Sequence, residues 1–221
     1  MIKIKNNFNA YSGRAGRYDF MLDTYQDVFQ GSETILDVGC SDNYLKQKTN
    51  KKVLGIDIAG TPDRIVDLEK ESLSSFEDAS YDLVICTEVL EHVDNLHQVF
   101  TDLCRVSSKY VIISLPNTTS WGRLSKILLK LKTGKFYGLP LSKPEDRHKW
   151  YFSHKEVVNF MINQKLVTTH APQVITYHYS IIWGSEKKIF RRLFQHIKKN
   201  LISFFGIKNY AQEIFVLFEK I

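Results

Sequence analysis

The regular alternation of short apolar runs with polar helical segments, from Ser32 to Asn117, constrains the fold of this chain more than any other feature. Five of the runs are rich in β-branched residues and apolar on both faces, as strands buried inside a parallel sheet are. They cover residues 33–39, 51–58, 64–68, 81–87 and 110–117. Between them lie "DNYLKQKTN", "EKESLSSFED" and the strongly amphipathic "DNLHQVFTDLCRVS". This order predicts a doubly wound α/β sheet.

The pattern changes after Asn117. Residues 153–166 begin with Ser153 followed by Glu156, a capping box that predicts a helix start. Residues 167–180 and 212–221 have the composition of strands, and we expect them at one edge of the sheet as an antiparallel pair. Two inserts, about 118–152 and 181–208, interrupt this order. We expect one domain over residues 1–221.

Size and composition are those of one soluble globular domain. The chain has 221 residues, of which 43% are hydrophobic and 24% are charged. No apolar run approaches the roughly 18 residues of a membrane span, and the first residues lack the apolar core of a secretory signal. Cys40, Cys86 and Cys104 are odd in number and lack metal-binding spacing. We therefore expect a cytoplasmic protein with reduced thiols.

The net charge of +6 is local. Six basic residues and no acidic one lie between Lys187 and Lys199, and without them the chain has 24 Lys and Arg against 24 Asp and Glu. Apolar residues recur there at helical spacing. This predicts an amphipathic helix over residues 185–205, which either packs on the core with a solvated basic face or binds anionic partners. Peripheral membrane contact through residues 187–205 is favoured over RNA binding, because Phe204 and Phe205 follow the apolar stripe.

Chemically useful residues follow the predicted strands. Ligands of doubly wound sheets bind at the carboxyl ends of the strands. "ILDVGCSDNYL" puts Asp37 on the first strand, followed by Gly39 and small residues that let a ligand approach the backbone. "GIDI" ends the second strand with Asp57, which is placed to accept both hydroxyls of a ribose. "VDLE" offers Asp67 and Leu68 near an adenine.

The motifs "DVGC", "GIDI", "DLVICTEVLEHV" and "SLPN" occur in this order and resemble the class I S-adenosylmethionine-dependent methyltransferases over about residues 30–117. The resemblance implies a Rossmann-like sheet of seven strands, mostly parallel with an antiparallel last strand. It also implies S-adenosylmethionine as the cofactor. The implied cofactor-binding residues are Asp37, Gly39, Cys40, Ser41, Asp57, Ile58, Asp67, Leu68 and Thr87.

One motif departs from the family pattern. The family has acid-x-Gly-x-Gly-x-Gly, whereas this chain has Ser41 and Asn43 at the second and third glycine positions. Because Ser is small and Asn tolerates positive φ, we expect the turn to be retained. The alternative is a non-catalytic Rossmann-like binding module. The G-x-G-x-x-G spacing of NAD(P) dehydrogenases is absent.

"TEVLEHV" places Glu88, Glu91 and His92 directly after a buried strand. If a helix begins just after Thr87, their i, i+3, i+4 spacing puts them on one face of its first turn. In one interpretation the two carboxylates stabilise the N-terminus of this helix, and His92 acts alone as the catalytic base.

The other interpretation is a metal site. E-x-x-E-H resembles the ubiquinone-pathway O-methyltransferases and the small-RNA 3′-terminal 2′-O-methyltransferases, in which a downstream His completes a divalent-metal site. His148 in "EDRHKWYFSHKE" matches that His, with His154 in reserve. The implied ligands are Glu88, Glu91, His92 and His148. Mixed carboxylate and imidazole ligands suit Mn²⁺, Fe²⁺, Co²⁺ or Zn²⁺ better than Mg²⁺.

The acceptor is expected over the same strand ends, under the first insert and residues 11–20. Arg147 would meet an anionic acceptor, and five aromatic residues either line the pocket or pack the insert: Trp121, Phe136, Tyr137, Trp150 and Tyr151. We expect O-methylation of a small-molecule, sugar or lipid-linked acceptor, with RNA 2′-O-methylation as the alternative. Oligomeric state does not follow from the sequence.

Overall fold

The computed structural model describes residues 1–8, 11–120, 129, 141–142, 147–163, 168–179, 208 and 211–221. Most of the insert at 118–152, including Trp121, Phe136 and Tyr137, and the basic stretch 185–205 fall outside these residues.

An eight-stranded mixed sheet forms the centre of the molecule. The strands lie in the order β1-β7-β8-β6-β5-β2-β3-β4. Only β8 runs against its neighbours: it pairs antiparallel with β6 and β7, and the other pairs are parallel. The expected Rossmann-like sheet with an antiparallel last strand is confirmed. The strands are β1 Lys3–Asn7, β2 Thr34–Val38, β3 Lys52–Asp57, β4 Arg64–Ile65, β5 Tyr81–Thr87, β6 Ser107–Pro116, β7 His170–His178 and β8 Glu213–Lys220.

The strand count differs from the expected seven because of β1. Its sequence "KIKNN" carries one large apolar side chain, so it has no strand-like alternation. It pairs with β7 on one side only, and its two lysines suit an open sheet edge. The predicted antiparallel pair β7–β8 therefore lies next to the edge, with β1 outside it. At the opposite edge, β4 has two residues of the five expected at 64–68.

Five α-helices flank the sheet in the described residues. They are α1 Gly13–Thr24, α2 Gln26–Gln30, α3 Leu68–Glu71, α4 Leu96–Val106 and α5 His154–Asn163. The capping box of α5 is confirmed: the Ser153 backbone N–H donates to Glu156 Oε2 (2.7 Å), and the Glu156 N–H donates to Ser153 Oγ (3.2 Å). Two of the expected helical segments are less helical than predicted. Residues 41–48 form consecutive turns, and only the start of "EKESLSSFED" is helical.

Both faces of the sheet are covered, as two-sidedly apolar strands predict. Ile35 of β2 packs with Met21 and Phe29 of α1 and α2, whereas Leu36 packs with Phe100 of α4 and Met161 of α5. We call these the α1 face and the α4 face. The carboxyl ends of β2, β3, β5, β6 and β7, together with the start of β8, lie at one edge, which we call the carboxyl edge. The candidate site lies there.

Candidate active site

The turn after β2, residues 39–43, keeps a left-handed backbone at all three positions where the family motif has glycine. The φ angles are +81° at Gly39, +54° at Ser41 and +54° at Asn43. The backbone N–H groups of Gly39 and Cys40 donate to the Ile56 carbonyl at 2.8 and 3.2 Å. The substitutions therefore preserve the shape of the turn. Asn pays less for this conformation than other non-glycine residues.

Close packing explains why only the first position must be glycine. A Cβ on Gly39 would lie 2.1 Å from Cγ2 of Val89, a residue of the loop after β5. The side chain of Asn43 instead has a defined place. Its Nδ2 donates to the Thr61 carbonyl (2.8 Å), and its Oδ1 occupies the space where a Cβ of Gly55 would be. Asn43 thus ties the turn to β3 and the loop that follows it.

Asp57 lies at the end of β3 beside this turn. Its Oδ2 accepts the Ser41 backbone N–H (2.8 Å), and its Oδ1 accepts those of Ile58 (2.7 Å) and Ala59 (3.2 Å). The carboxylate is half-buried, and Oδ2, which accepts only one of these bonds, retains a second lone pair. Ile58 is 64% exposed, which is unusual for a large apolar side chain at a strand end. Together they form a polar acceptor next to an apolar surface.

Asp37 lies beneath the turn. It is buried, and the Tyr18 hydroxyl lies 3.0 and 2.8 Å from its two carboxylate oxygens. Burial raises the pKa of Asp37 to about 7, and the Tyr18 hydrogen bond opposes this rise. Because its oxygens face Tyr18, Asp37 supports the turn from below.

Arg17 and Tyr18 were missed by sequence reasoning. Both lie on α1, and Arg17 Nη1 donates to the carbonyl of Thr87 (3.3 Å) at the end of β5. Arg17 Nε is buried and has no hydrogen-bond partner within the described part of the chain. The available signal was "GRYDF" in a segment expected to cover the strand ends, but periodicity alone does not show which side chain points at the sheet.

Asp67 and Leu68 lie farther along the same edge. The Asp67 side chain accepts the Glu69 backbone N–H (3.1 Å), which caps α3, and it pairs with Lys70. Leu68 is 9% exposed, and its carbonyl accepts from Asn95 Nδ2 (2.8 Å). The loop after β5 is thereby tied to the predicted adenine region.

Of the helix considered within a few residues of Thr87, only a 3₁₀ turn is present, and Glu88 lies outside it. Glu88 has φ +56°, a 3₁₀ turn follows at Leu90–His92, and α4 begins only at Leu96. The left-handed Glu88 ends the strand sharply and reverses the chain. Glu88 and Glu91 therefore do not stabilise the N-terminus of α4, whose first turn contains no acidic residue.

Glu91, His92 and His148 come together at the carboxyl edge, on the α4 side of the loop after β5. One potential ligand atom from each lies within 4.8 Å of the others. Glu91 Oε1 is 3.9 Å from His92 Nε2 and 4.0 Å from His148 Nε2, and the two imidazole rings are 4.6 Å apart. Glu91 and His148 are buried. Glu88 is not part of this group among the described residues. His154, the reserve candidate, begins α5 and is also not part of it; its side chain is half-buried, with Nδ1 buried.

Hydrogen bonds fix the ring of His92 and the backbone next to His148. His92 Nδ1 lies 3.2 Å from the carbonyl oxygen of Arg147. A carbonyl only accepts, so His92 Nδ1 is the donor of this hydrogen bond, and Nε2 lies towards Glu91. The backbone N–H groups of Lys149 and Trp150 donate to the Glu91 carbonyl at 2.8 and 3.3 Å. Segment 147–150 is thus bonded to the loop that carries the other two side chains.

Side-chain contacts also fix the position of segment 147–150. Trp150 Nε1 donates to the Val93 carbonyl (2.7 Å), and its ring packs against the core. Lys149 pairs with Glu69 and Asp94. Tyr151 is 56% exposed, and Arg147 is also exposed. Of the aromatic residues expected near the acceptor, Trp150 therefore packs, Tyr151 faces solvent, and Trp121, Phe136 and Tyr137 lie outside the described residues.

Comparison with known proteins identifies the family of the chain. A family model described as a methyltransferase domain matches residues 14–167, more than half of the chain. None of the curated proteins matches the sequence significantly.

Many solved structures share the fold, and they include several methyltransferases. A SAM-dependent methyltransferase from Archaeoglobus fulgidus is 19% identical, with a TM-score of 0.57 over 94% of this chain and 95% of the other. Magnesium protoporphyrin IX methyltransferase (ChlM) from Synechocystis PCC 6803, solved with bound SAH, is 13% identical, with a TM-score of 0.53 over 94% and 83%. The small RNA methyltransferase HEN1 is 16% identical, with a TM-score of 0.56 over 97% of this chain but 26% of that one.

The chain therefore belongs to the methyltransferase domain family, and its fold is that of the class I S-adenosylmethionine-dependent methyltransferases. It is a methyltransferase. A methyltransferase also has an acceptor. No described helix has the length and apolar character needed to cross a membrane.

Proposed function

We propose that this protein is a single-domain O-methyltransferase whose acceptor is a small molecule, a sugar or a lipid-linked compound. The observation that carries the proposal is that Glu91, His92 and His148 converge at the edge where the 39–43 turn and Asp57 lie. Cofactor residues and candidate oxygen-activating residues are thus neighbours at the carboxyl ends of β2, β3 and β5. Methyl transfer to oxygen needs this proximity.

The cofactor roles are assigned by position. The backbone of Gly39, Cys40 and Ser41 lines the turn, Asp57 accepts the ribose hydroxyls, and Ile58 and Leu68 flank the adenine. Asp67 lies at the rim of that pocket. Thr87 and Arg17 face the amino-acid end of the cofactor, where the guanidinium offers hydrogen bonds to a carboxylate. Asp37 contributes indirectly, through its hydrogen bond with Tyr18 beneath the 39–43 turn.

The donor set fits a divalent transition metal. Two ligands that are each about 2.0–2.2 Å from a tetrahedral ion lie roughly 3.4 Å apart, close to the observed 3.9 and 4.0 Å. Two imidazoles and a carboxylate suit Mn²⁺, Fe²⁺, Co²⁺ or Zn²⁺ better than Mg²⁺. We assign Glu91, His92 and His148 as ligands, and Glu88, three residues before Glu91, as the fourth candidate. A bound metal would lower the pKa of the acceptor hydroxyl.

The protein contributes orientation and charge to this site. The Arg147 carbonyl accepts from His92 Nδ1 and so orients the ring with Nε2 as the nitrogen that would bind a metal, as second hydrogen bonds generally orient histidine ligands. The buried carboxylate of Glu91 gives negative charge next to both imidazoles. Without a metal, the same His92 Nε2 would instead remove the acceptor proton as a general base.

Metal binding can be tested without any acceptor. Titration of Mn²⁺ or Co²⁺ into the wild-type protein by calorimetry should show one site, and His148→Ala or Glu91→Gln should weaken it by about tenfold or more. Glu77→Gln is the matched control for Glu91→Gln, because Glu77 is an exposed carboxylate that is not part of the cluster. Wild-type metal affinity in both His148→Ala and Glu91→Gln would contradict the metal site and leave His92 as the base.

RNA is the second candidate acceptor, because HEN1, a small RNA methyltransferase, shares this fold. Transfer of a labelled methyl group from S-adenosylmethionine distinguishes the two. The proposal predicts labelling of a prenylated catechol or a lipid-linked sugar, with loss on chelation. Labelling of a short RNA at its 3′ end instead would establish the alternative.

The basic stretch 187–205 supports a further proposal, a cytoplasmic enzyme in peripheral contact with the membrane, although this stretch lies outside the described residues. Four substitutions, Arg191→Ala, Arg192→Ala, Lys198→Ala and Lys199→Ala, should together abolish binding to vesicles of anionic lipid, since each basic residue near such a surface contributes about 1 kcal/mol. A wild-type protein that ignores these vesicles at low salt would refute the contact.

A further inference from the structure

A second group at the carboxyl edge has no role in the proposed chemistry. His178 ends β7 and faces Glu213, which begins β8. The ring of Tyr11 stacks on His178 with 4.4 Å between ring centroids, and the Tyr11 hydroxyl donates to Glu213 Oε2. Together with Phe20 and Phe215, these residues form what we call the Tyr11 cluster. It lies on the α1 face, across β6 from the end of β5.

Helix α1 is docked on the sheet through this cluster. The ring of Phe20 lies 5.5 Å from Tyr11, 5.0 Å from His178 and 4.9 Å from Phe215. Tyr11 also touches the helix backbone, since a Cβ on Gly16 would lie 3.2 Å from Tyr11 Cβ. Because both contacts are close, α1 and Tyr11 must move together.

The same helix carries the two cofactor-edge residues that the sequence did not reveal. Arg17 reaches the Thr87 carbonyl, and Tyr18 reaches Asp37. Phe20 is three residues after Arg17, so the two side chains lie on one side of α1, about one turn apart. A shift of the helix at Phe20 would therefore displace the Arg17 guanidinium.

We propose that Tyr11 and Glu213 are positioning residues that hold α1 so that Arg17 meets the amino-acid end of S-adenosylmethionine. This inference rests on the proposed cofactor site. The Tyr11 hydroxyl joins the segment before α1 to the start of β8, and the stacked His178 fixes the plane of its ring. Removing the hydroxyl would leave the half-buried Glu213 without this donor and loosen the N-terminal end of α1.

Tyr11→Phe is the direct test because it removes only the hydroxyl. The dissociation constant for S-adenosylmethionine, measured by calorimetry, should rise about five- to tenfold, as expected for loss of one hydrogen bond to a carboxyl group. Tyr25→Phe is the matched control. The Tyr25 hydroxyl also ties the N-terminal helices to β7, through Thr176 Oγ1 at 3.0 Å, but at the opposite end of α1 from Tyr11. It should lower thermal stability and leave cofactor affinity unchanged.

A double-mutant cycle with Arg17→Ala tests whether Tyr11 acts through α1. In the Arg17→Ala background, Tyr11→Phe should weaken cofactor binding by less than about twofold, because the group it positions is gone. Glu213→Gln keeps an acceptor for Tyr11 and should retain near-normal affinity. It also serves as the folded variant if Tyr11→Phe is unstable, with Glu213→Leu as its disruptive counterpart.

The results distinguish failure of the proposed cofactor site from failure of the positioning role of Tyr11 and Glu213. A wild-type protein that does not bind S-adenosylmethionine would refute the proposed site itself. Wild-type binding with equal affinity in Tyr11→Phe and Tyr25→Phe would overturn the positioning role alone. An undiminished effect of Tyr11→Phe in the Arg17→Ala background would also overturn it.

Discussion

Ser41 and Asn43 show how a glycine motif survives without two of its glycines. Both residues have φ near +54°, and they differ in what their side chains do. Asn43 fills the space over Gly55 and bonds to Thr61, whereas the described structure gives the Ser41 hydroxyl no hydrogen bond. The sequence predicted the turn because Asn tolerates this region. It did not predict that Asn43 would pack on β3.

Two substitutions test this difference. Ser41→Gly should leave the free energy of unfolding unchanged or raise it, because relief of left-handed strain of about 1–2 kcal/mol offsets the added flexibility of the unfolded chain. Asn43→Gly removes a hydrogen bond and packing, and should be less stable than Ser41→Gly by about 1 kcal/mol. Urea unfolding of both variants measures the difference. Equal midpoints would contradict the role assigned to the Asn43 side chain.

Because Asp37 is buried, we expect the free energy of unfolding to depend on pH. Its folded pKa of about 7 lies above its ordinary value because the carboxyl group is buried. A raised folded pKa stabilises the protein at low pH, and this contribution is lost as pH rises from about 4 to about 7. At about 1.4 kcal/mol per unit, the loss has an upper limit of about 4 kcal/mol.

Asp37→Asn should therefore flatten the change in unfolding free energy between pH 5 and pH 8, measured by urea denaturation. The comparison of slopes matters, since the amide alters the absolute stability at both pH values. Asp23→Asn, an exposed residue of the same face, is the control and should keep the wild-type slope. A wild-type slope in Asp37→Asn would show that another group, such as Glu213 with its pKa raised to about 8, dominates.

The segment after β5 shows the limit of periodicity at the element scale. The i, i+3, i+4 spacing of Glu88, Glu91 and His92 puts them on one face only if a helix begins there, but the left-handed Glu88 and the 3₁₀ turn place Glu91 and His92 together by a different path. The His148 side chain lies in the same group. Segment 147–150 is held by backbone bonds to the Glu91 carbonyl, and such long-range pairing leaves no local signal in the sequence.

Trp150 tests whether this segment positions His148. Trp150→Phe keeps the aromatic packing and removes the indole bond to Val93, which is worth about 1 kcal/mol. Mn²⁺ affinity should fall about fivefold if His148 shifts with the segment, while cofactor affinity stays the same. Tyr151→Phe, next in sequence and exposed, is the control. Wild-type Mn²⁺ affinity in Trp150→Phe would show that the backbone bonds of Lys149 and Trp150 suffice.

At the scale of the whole molecule, the strands buried inside the sheet could be predicted from the sequence. The edge strand β1 and the position of Arg17 could not. β2, β3, β5, β6, β7 and β8 were all expected because each is apolar enough to lie inside a sheet. β1 was missed since an edge strand with two lysines needs little apolar surface. Arg17 was missed for a related reason: its place depends on how α1 docks, which Tyr11 and Phe20 decide through contacts distant in sequence.

The central claim is that the 39–43 turn and Asp57 form the S-adenosylmethionine site. Calorimetric titration of S-adenosylmethionine into the wild-type protein and into Asp57→Ala tests it most directly. The account predicts one saturable site in the wild type. It also predicts a loss of about 100-fold or more in Asp57→Ala, because two hydrogen bonds to a charged acceptor disappear at about 1.5–3 kcal/mol each. Circular dichroism should show that the variant remains folded. No binding by the wild type, or unchanged affinity in a folded Asp57→Ala, would contradict the claim.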